Sequence, residues 1–551
     1  MSREELDRLY REGRSHYKNG EYDPAAQLFQ QAAEGGHAAA QNRLGDCYYY
    51  GRGVYKDLKA SAQWYRKAAE QGNSDGQHNY AWALEHGEGV DKDYAEAAKW
   101  YRKASDQGNY LSQNCLALFY RDGKGVEKNP ERAKELLLQS ARKGYSYAQY
   151  NLGMLYKGGK GIPKDEEQSY YWLRKAADQE HKSAMDEVGD CFYYGNGVEK
   201  DYAEAVVWYR KAAQAGASDS MRSLGWAYAH GEGVEKDYAE AAKWYRKAAD
   251  KGNRPAMNSL GLLYEDGNGV EKDLAEAAKW YLKAAEKGLA VAQGNIGYFY
   301  ETGKGVKKDL AEAAKWYRKG ADQGNTRCQC NLGYLYETGK GVTKDLTEAV
   351  KWYRKAAEQN YARGQYNLGF MYSMGKGVEQ DKAEAAKWYR RAALQNYARA
   401  QFSLGLLYDN GEGVAQDYKK AAQWYRKAVA QGHDGAMNNL GILYQNGRGV
   451  TQDKQEAARY YRMAAEKGNK EAMSNLAVLY RDGDGVETDL AEALRLSRKA
   501  AEKGHVKSMY RLATMLEQGE GTEKDLAEAL KWYRKAAENG HEIAKRRIPE
   551  L

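Results

Sequence analysis

Apolar residues recur along this 551-residue chain at helical spacing, in two alternating registers separated by glycine-rich turns. Between Ser74 and Asn109, Tyr80, Ala81 and Leu84 mark one apolar face, and Ala97, Ala98, Trp100, Tyr101 and Ala104 mark a second, so the stretch reads as a helical hairpin of helices A and B. The turn between them carries Gly-x-Gly, which occurs from 51/53 and 87/89 through to 519/521, fourteen copies at a spacing of 36 with no insertion or deletion. A fixed period of this size marks stacked supersecondary units rather than separate domains. A hairpin this short cannot enclose a core, so each must bury its apolar faces against the next. Small residues, such as Gly225, Gly261 and Gly297 in helix A or Ala248 in helix B, allow close approach, and rings such as Trp244 and Tyr245 fill the remaining space.

Helix limits are also written into the period. Helix B opens with Asp in thirteen copies and with Asn129 in the other. In ten of them Glu follows three residues later, as in Asp93/Glu96, Asp237/Glu240 and Asp309/Glu312, which predicts a reciprocal capping box. Gly or Asn ends helix B in thirteen copies (Gly72, Gly252, Asn360, Asn396), as a left-handed terminating residue requires. Glu180 is the exception, and a looser turn is expected there.

Composition then excludes whole classes. Lys and Arg number 85 against 77 Asp and Glu, a formal net charge of +8, which is small for this length. No apolar run approaches the roughly 18 residues of a membrane helix, and Met1-Ser2-Arg3-Glu4-Glu5 opens without the apolar segment of a signal peptide. Five cysteines make no disulfide framework, so a cytoplasmic setting is the expectation.

The pattern A-x-x-x-L-G-x-x-Y-x-x-G-x-G-V-x-x-D-x-x-x-A-x-x-W-Y-x-K-A-A, as in Ala256 to Ala285, resembles the Sel-one-like repeat family, a relative of the tetratricopeptide repeat. The resemblance covers residues 37–540 as fourteen repeats. Residues 1–36 depart from it: Leu9, Gly13, Gly20, Tyr22, Ala25, Phe29 and Ala32 fall at tetratricopeptide spacing with a shorter turn, which suggests an N-terminal capping hairpin. Residues 541–551 start a further helix that stops at Pro549. The resemblance implies an all-α, α/α solenoid of about fifteen hairpins, a right-handed superhelix whose A helices line a concave surface. It also implies a non-enzymatic scaffold or adaptor that binds a partner protein or peptide.

Chemical alternatives find little support. Gly-x-Gly here follows a helix, lacks a third Gly or a Lys-Ser/Thr, and recurs fourteen times, so it is a turn and not a phosphate loop. His78 and His86 lie two helical turns apart and Cys328 and Cys330 point away from each other, so no metal site is expected, and no cofactor. Lys243, Arg246 and Lys247 are interleaved with Glu240 and Asp250 as a solvated face, which argues against nucleic-acid binding. The eleven Trp of helix B sit on its apolar stripe. An enzyme or small-molecule binder using the groove as a pocket stays open as the alternative to a scaffold.

Helix B is nearly copied from unit to unit, whereas helix A varies outside its Leu-Gly-x-x-Tyr spine, so recognition is expected on helix A. Comparison with the tetratricopeptide repeat places the concave positions six and three residues before the helix A glycine, and one, four and five after it. The position six before reads Arg327, Arg363 and Arg399 in three successive units, with Tyr334, Tyr366, Phe370 and Phe402 beside them and Glu301, Glu337 and Asp409 among the acids four after. Arginine in the first turn of a helix and acid in the last each oppose the helix dipole by roughly 0.3 to 1 kcal/mol. Two explanations stay open: the arginines pair with acids such as Asp322 and Glu358 on the preceding helix B, or they receive the carboxylates of an acidic partner peptide. Tyr49, Tyr50, Tyr147, Tyr150, Tyr193 and Tyr194 form a fallback surface.

Overall fold

The computed structural model describes residues 1–159 and 161–548, so the predicted stop at Pro549 lies outside the described residues. Among them are 31 helices, paired as hairpins in chain order, and no strand. They fall into two compact units, Met1–Asp273 and Leu274–Leu551. Within each unit a helix packs mainly on its neighbours in the chain, and A helices of successive hairpins also touch, as Thr326–Thr338 touches Ala290–Thr302 and Ala362–Met374. No helix among the described residues is long and apolar enough to cross a membrane.

The caps follow from the predicted residues. Asp93 accepts the amides of Ala95 and Glu96, both at 2.9 Å, and Asn129 accepts that of Arg132 at 3.0 Å. At Asp93 and Asp237 the reciprocal half of the capping box does not form, because the amide of the cap donates across the turn, to Leu84 O at 3.0 Å and to Tyr228 O at 2.9 Å. Glu at the third helical position turns instead to the base three residues on: Lys99 Nζ reaches Glu96 at 2.9 Å, and Lys243 reaches Glu240 at 2.9 Å. An i,i+3 ion pair on the same exposed face offers the carboxylate a charged donor where the capping box offers one backbone amide.

The turn after helix B is the same at Glu180 as elsewhere, against expectation. Glu180 adopts φ +60, beside Asn360 at +61 and Asn396 at +63. Its amide bonds Ala177 O at 2.9 Å and the next amide bonds Ala176 O at 3.2 Å. Two backbone hydrogen bonds outweigh the roughly 1–2 kcal/mol that a Cβ costs in the left-handed region. The accommodation is one residue of length: helix Glu166–Ala177 has 12 residues where other B helices have 13.

The core of most hairpins is a ring under a glycine. Tyr353 is 1% exposed, and a Cβ on Gly333 would stand 2.7 Å from its Cε1. Tyr209 under Gly189 and Tyr425 under Gly405 repeat the arrangement. Burying a large side chain contributes roughly 1.5 to 3 kcal/mol, repeated hairpin after hairpin. In the first hairpin Phe29 packs on Gly13 in the same way, and the turn there, residues 19–21, is shorter than the seven-residue turn at 51–57.

The basic stripe of helix B is more structural than a solvated face. Lys355 Nζ lies 4.0 Å from the centre of the Trp352 ring, and Lys319 lies 3.9 Å from Trp316. Arg354 Nη2 donates to Tyr372 Oη at 2.6 Å in the next hairpin, as Arg210 does to Tyr228 at 3.0 Å. A glutamine pair adds a second tie: the buried Gln329 donates through Nε2 to Ala321 O at 3.2 Å while its Oε1 accepts from the exposed Gln359 at 3.0 Å.

Candidate functional site

Thr326–Thr338, Ala362–Met374 and Ala398–Asn410 place Arg327, Arg363 and Arg399 in their first turns. Arg327 and Arg399 are exposed, and Arg363 is half-buried, donating through Nη1 to Asn331 Oδ1 at 3.0 Å. Among the described residues none of the three forms an ion pair, so the pairing with Asp322 or Glu358 does not occur. The arginines still share an electrostatic neighbourhood. Burial is the main influence that raises the hydroxyl pKa of Tyr361, which feels the opposing charges of Arg363 and Arg327; burial likewise raises that of Tyr366, which feels Arg399.

The four rings divide into two kinds. Tyr366 and Phe402, three before the glycine, are held between hairpins: Phe402 stacks on His433 at 4.4 Å, and Tyr366 lies 5.4 Å from Tyr397. Tyr334 and Phe370, one after it, keep a half-exposed face that carries a cation of their own chain, Lys340 at 5.3 Å and Lys376 at 4.9 Å. The seven residues are therefore not one open aromatic floor; two rings are spent on stacking.

The acids four after the glycine are occupied as well. Glu301, Glu337 and Asp409 accept the hydroxyls of Tyr317, Tyr353 and Tyr425 at 2.6, 2.8 and 3.0 Å. The acid in the last turn, which the helix dipole left unexplained, thus has a reason within the chain. Each buried helix B phenol needs an acceptor, and a net hydrogen bond to a charged group, about 1.5–3 kcal/mol, exceeds the dipole cost.

The fallback tyrosines lie in the first unit. Tyr50, Tyr147 and Tyr194 are strongly exposed. Sequence reading missed the tryptophans beside two of them: Trp82 and Trp226 stand on helix A, stack on His86 and His230 at 3.9 and 3.7 Å, and are 40% and 43% exposed. The legible signal was that these two, 144 residues apart, are the only Trp outside helix B. Also missed was a basic cavity formed by Arg481, Lys507 and Arg511, described below. All five cysteines are free, and burial pushes their thiols up to about 12. No group of His, Cys, Asp and Glu among the described residues is arranged to hold a metal ion.

A chain of helical hairpins with one 36-residue period, whose variable positions lie mostly on one helix of each pair, is an α-solenoid repeat protein. The Sel1 repeat profile matches fifteen segments, from 8–37 and 38–73 through 506–541, and the chain belongs to the Sel1 repeat family. The matches include residues 8–37, the hairpin with the short turn. Among solved structures, a protective antigen of uropathogenic Escherichia coli with an SLR fold is 33% identical over 89% of this chain and 97% of its own, at a TM-score of 0.62. A Sel1 repeat protein of Oxalobacter formigenes is 37% identical over 44% of this chain and 96% of its own, at a TM-score of 0.41. A search of curated proteins finds no match. Proteins of this family are in general interaction scaffolds and not catalysts.

Proposed function

We propose that this protein is a non-enzymatic scaffold that binds an acidic partner protein or peptide along the A helices of its second unit. Arg327, Arg363 and Arg399 receive the partner's carboxylates, and Tyr334 and Phe370 supply apolar contact, with Tyr366 and Phe402 holding the arginines in register from between the hairpins. One observation carries the reading: Arg327 and Arg399 stand exposed at one repeat position with no carboxylate among the described residues in ion-pair reach, while the nearby Glu337 and Asp409 are engaged by tyrosines. An exposed guanidinium retains its full set of forked donors for a bidentate carboxylate. Five unpaired thiols, four of them buried, fit a reducing, cytoplasmic setting.

The test is a titration at matched salt of a partner captured on the whole chain and identified by mass spectrometry. Reversing the three arginines to Glu should weaken binding by several kcal/mol, since charged hydrogen bonds contribute roughly 1.5 to 3 each. Equal affinities would move the binding surface elsewhere, first to Tyr50, Trp82, Tyr194 and Trp226.

A further inference from the structure

Among the described residues Arg511 is an arginine without a counter-ion. It stands two residues before the helix A glycine position, where seven hairpins carry Asn, which can reach the preceding A helix: Asn475 Nδ2 donates to Asn438 Oδ1 at 3.0 Å, and Asn151 to Asn114 at 2.9 Å. Arg43 occupies the same position but pairs with Asp46 at 3.0 Å. Arg511 takes the route of the asparagines, donating through Nη1 to Ser474 O at 2.7 Å and Ser474 Oγ at 3.1 Å. It thereby brings a full charge to a partly buried position, and among the described residues no carboxylate lies within ion-pair distance of it. Burial, then the charge of Arg481, lowers its pKa to about 10, with Asp482 opposing. Desolvation on this scale is unusual for a guanidinium and marks a charge lacking its counter-ion.

The surroundings add charge instead of cancelling it. A cavity of about 350 Å³ is lined by Arg511, Arg481 and Lys507, with Tyr510, Thr514, His541 and Glu520 completing its wall. Lys507 is exposed and occupies the repeat position of Arg327, Arg363 and Arg399. Tyr510 is locked by stacking on His541 at 4.4 Å and 14°, so one wall is a fixed apolar plane. Arg481 takes a place where six other repeats put an acid, and its Nε donates to Asp482 Oδ1 at 2.8 Å. With Glu520 on the rim and Asp482 on Arg481, the three cations leave one positive charge unanswered.

We propose that this cavity is a binding site for a single carboxylate, carried on a glutamate or aspartate side chain or on the end of a peptide chain. The uncompensated charge is one, which matches a carboxylate and not a phosphate dianion. The volume exceeds that of a bare anion and admits the side chain or chain end bearing it. Arg511, whose hydrogen bonds to Ser474 both come from Nη1, supplies the fork from its remaining donors, Lys507 the second charge, and the Tyr510 ring packs against the ligand's methylenes. The site is independent of the Arg327 face, and one can fail without the other.

Saturation-transfer NMR on the full chain suits weak ligands of a protein of this size. The probes are N-acetylglutamate α-amide, which offers a side-chain carboxylate, and N-acetylalanine, which offers a chain end; inorganic phosphate is the competitor. Binding of either carboxylate probe carries the assignment, and their ratio says which source the site prefers. Lys507→Ala should weaken the preferred probe about fivefold and Arg511→Met at least tenfold, with the helical circular dichroism unchanged. Glu520→Gln should tighten it about threefold, a gain that misfolding cannot produce. The triple Glu variant at 327, 363 and 399 should bind the probe as wild type does. Equal affinity in wild type, Lys507→Ala and Glu520→Gln would overturn the proposal, as would phosphate binding more tightly than both carboxylates.

Discussion

Tyr353 Oη donates to Glu337 Oε2 at 2.8 Å, from the last buried ring of one helix to the last turn of its partner. The same pairing, sixteen residues apart, joins Tyr101 to Glu85 and Tyr533 to Glu517. Where the acceptor position is itself a tyrosine, the acid moves to the residue after the glycine: Tyr65 bonds Asp46 at 2.9 Å and Tyr209 bonds Asp190 at 2.8 Å. A buried phenol left without an acceptor costs about 1–3 kcal/mol, so the acid follows the phenol and not the helix dipole.

Glu337→Ala should therefore destabilise its hairpin by about 1–3 kcal/mol, while Glu337→Gln, which keeps an acceptor as Gln445 does for Tyr461 at 2.7 Å, should cost well under half of that. Urea titration of both variants is the measurement. Equal losses would mean that the charge, and not the hydrogen bond, matters.

Gly333→Ala drives a methyl to 2.7 Å from the Tyr353 ring and should cost about 1–3 kcal/mol of overpacking. Ala117 stands naturally opposite a leucine, Leu137, so Gly333→Ala combined with Tyr353→Leu should lose less than the two single changes together. A double-mutant cycle by chemical denaturation reads the coupling; strict additivity would show that ring and glycine are not partners.

Five A helices are capped by histidine, among them His181, His433 and His505, whose Nδ1 accepts the amide three residues on at 3.2, 3.2 and 3.3 Å. Burial lowers the pKa of all three, so protons bind the unfolded chain better. Their contribution is complete above the unfolded value near 6.5 and is lost as pH falls below it, through the lowered folded values. Asp186, which burial pushes up to about 6, works in the opposite sense, so the readout must be a difference between variants. His433→Asn, the cap used by Asn469 at 2.8 Å, should make stability fall less between pH 7.5 and 5.5 than in wild type. An unchanged slope would remove the cap from the account.

The thiols of Cys47, Cys191, Cys328 and Cys330 are buried and Cys115 is half-buried, and all five are raised to about 12 by burial. At pH 8 a disulfide reagent should react with none of them over minutes in the native state and with five per chain in denaturant. Fast reaction at one thiol would locate a hairpin that opens locally.

The period, the helix limits and the residues that cap and end each helix are all local, and the sequence alone determined them. Asp93 and Gly72 act within a few residues of themselves, so a regular spacing suffices to read them. Glu180 shows the limit, because a left-handed turn is enforced by two backbone hydrogen bonds that residue identity does not reveal. Partnerships between helices are also constant in offset: sixteen for Tyr353 with Glu337, eighteen for Arg354 with Tyr372 and thirty for Gln359 with Gln329. The offsets were visible, but not which of several polar neighbours would be in reach. That choice depends on where a buried phenol or guanidinium emerges between helices. For the same reason, only the tertiary structure distinguished Phe402, stacked on His433, from the half-open Phe370, and separated the exposed Arg327 and Arg399 from Arg511, whose charge the packing partly buries without a counter-ion.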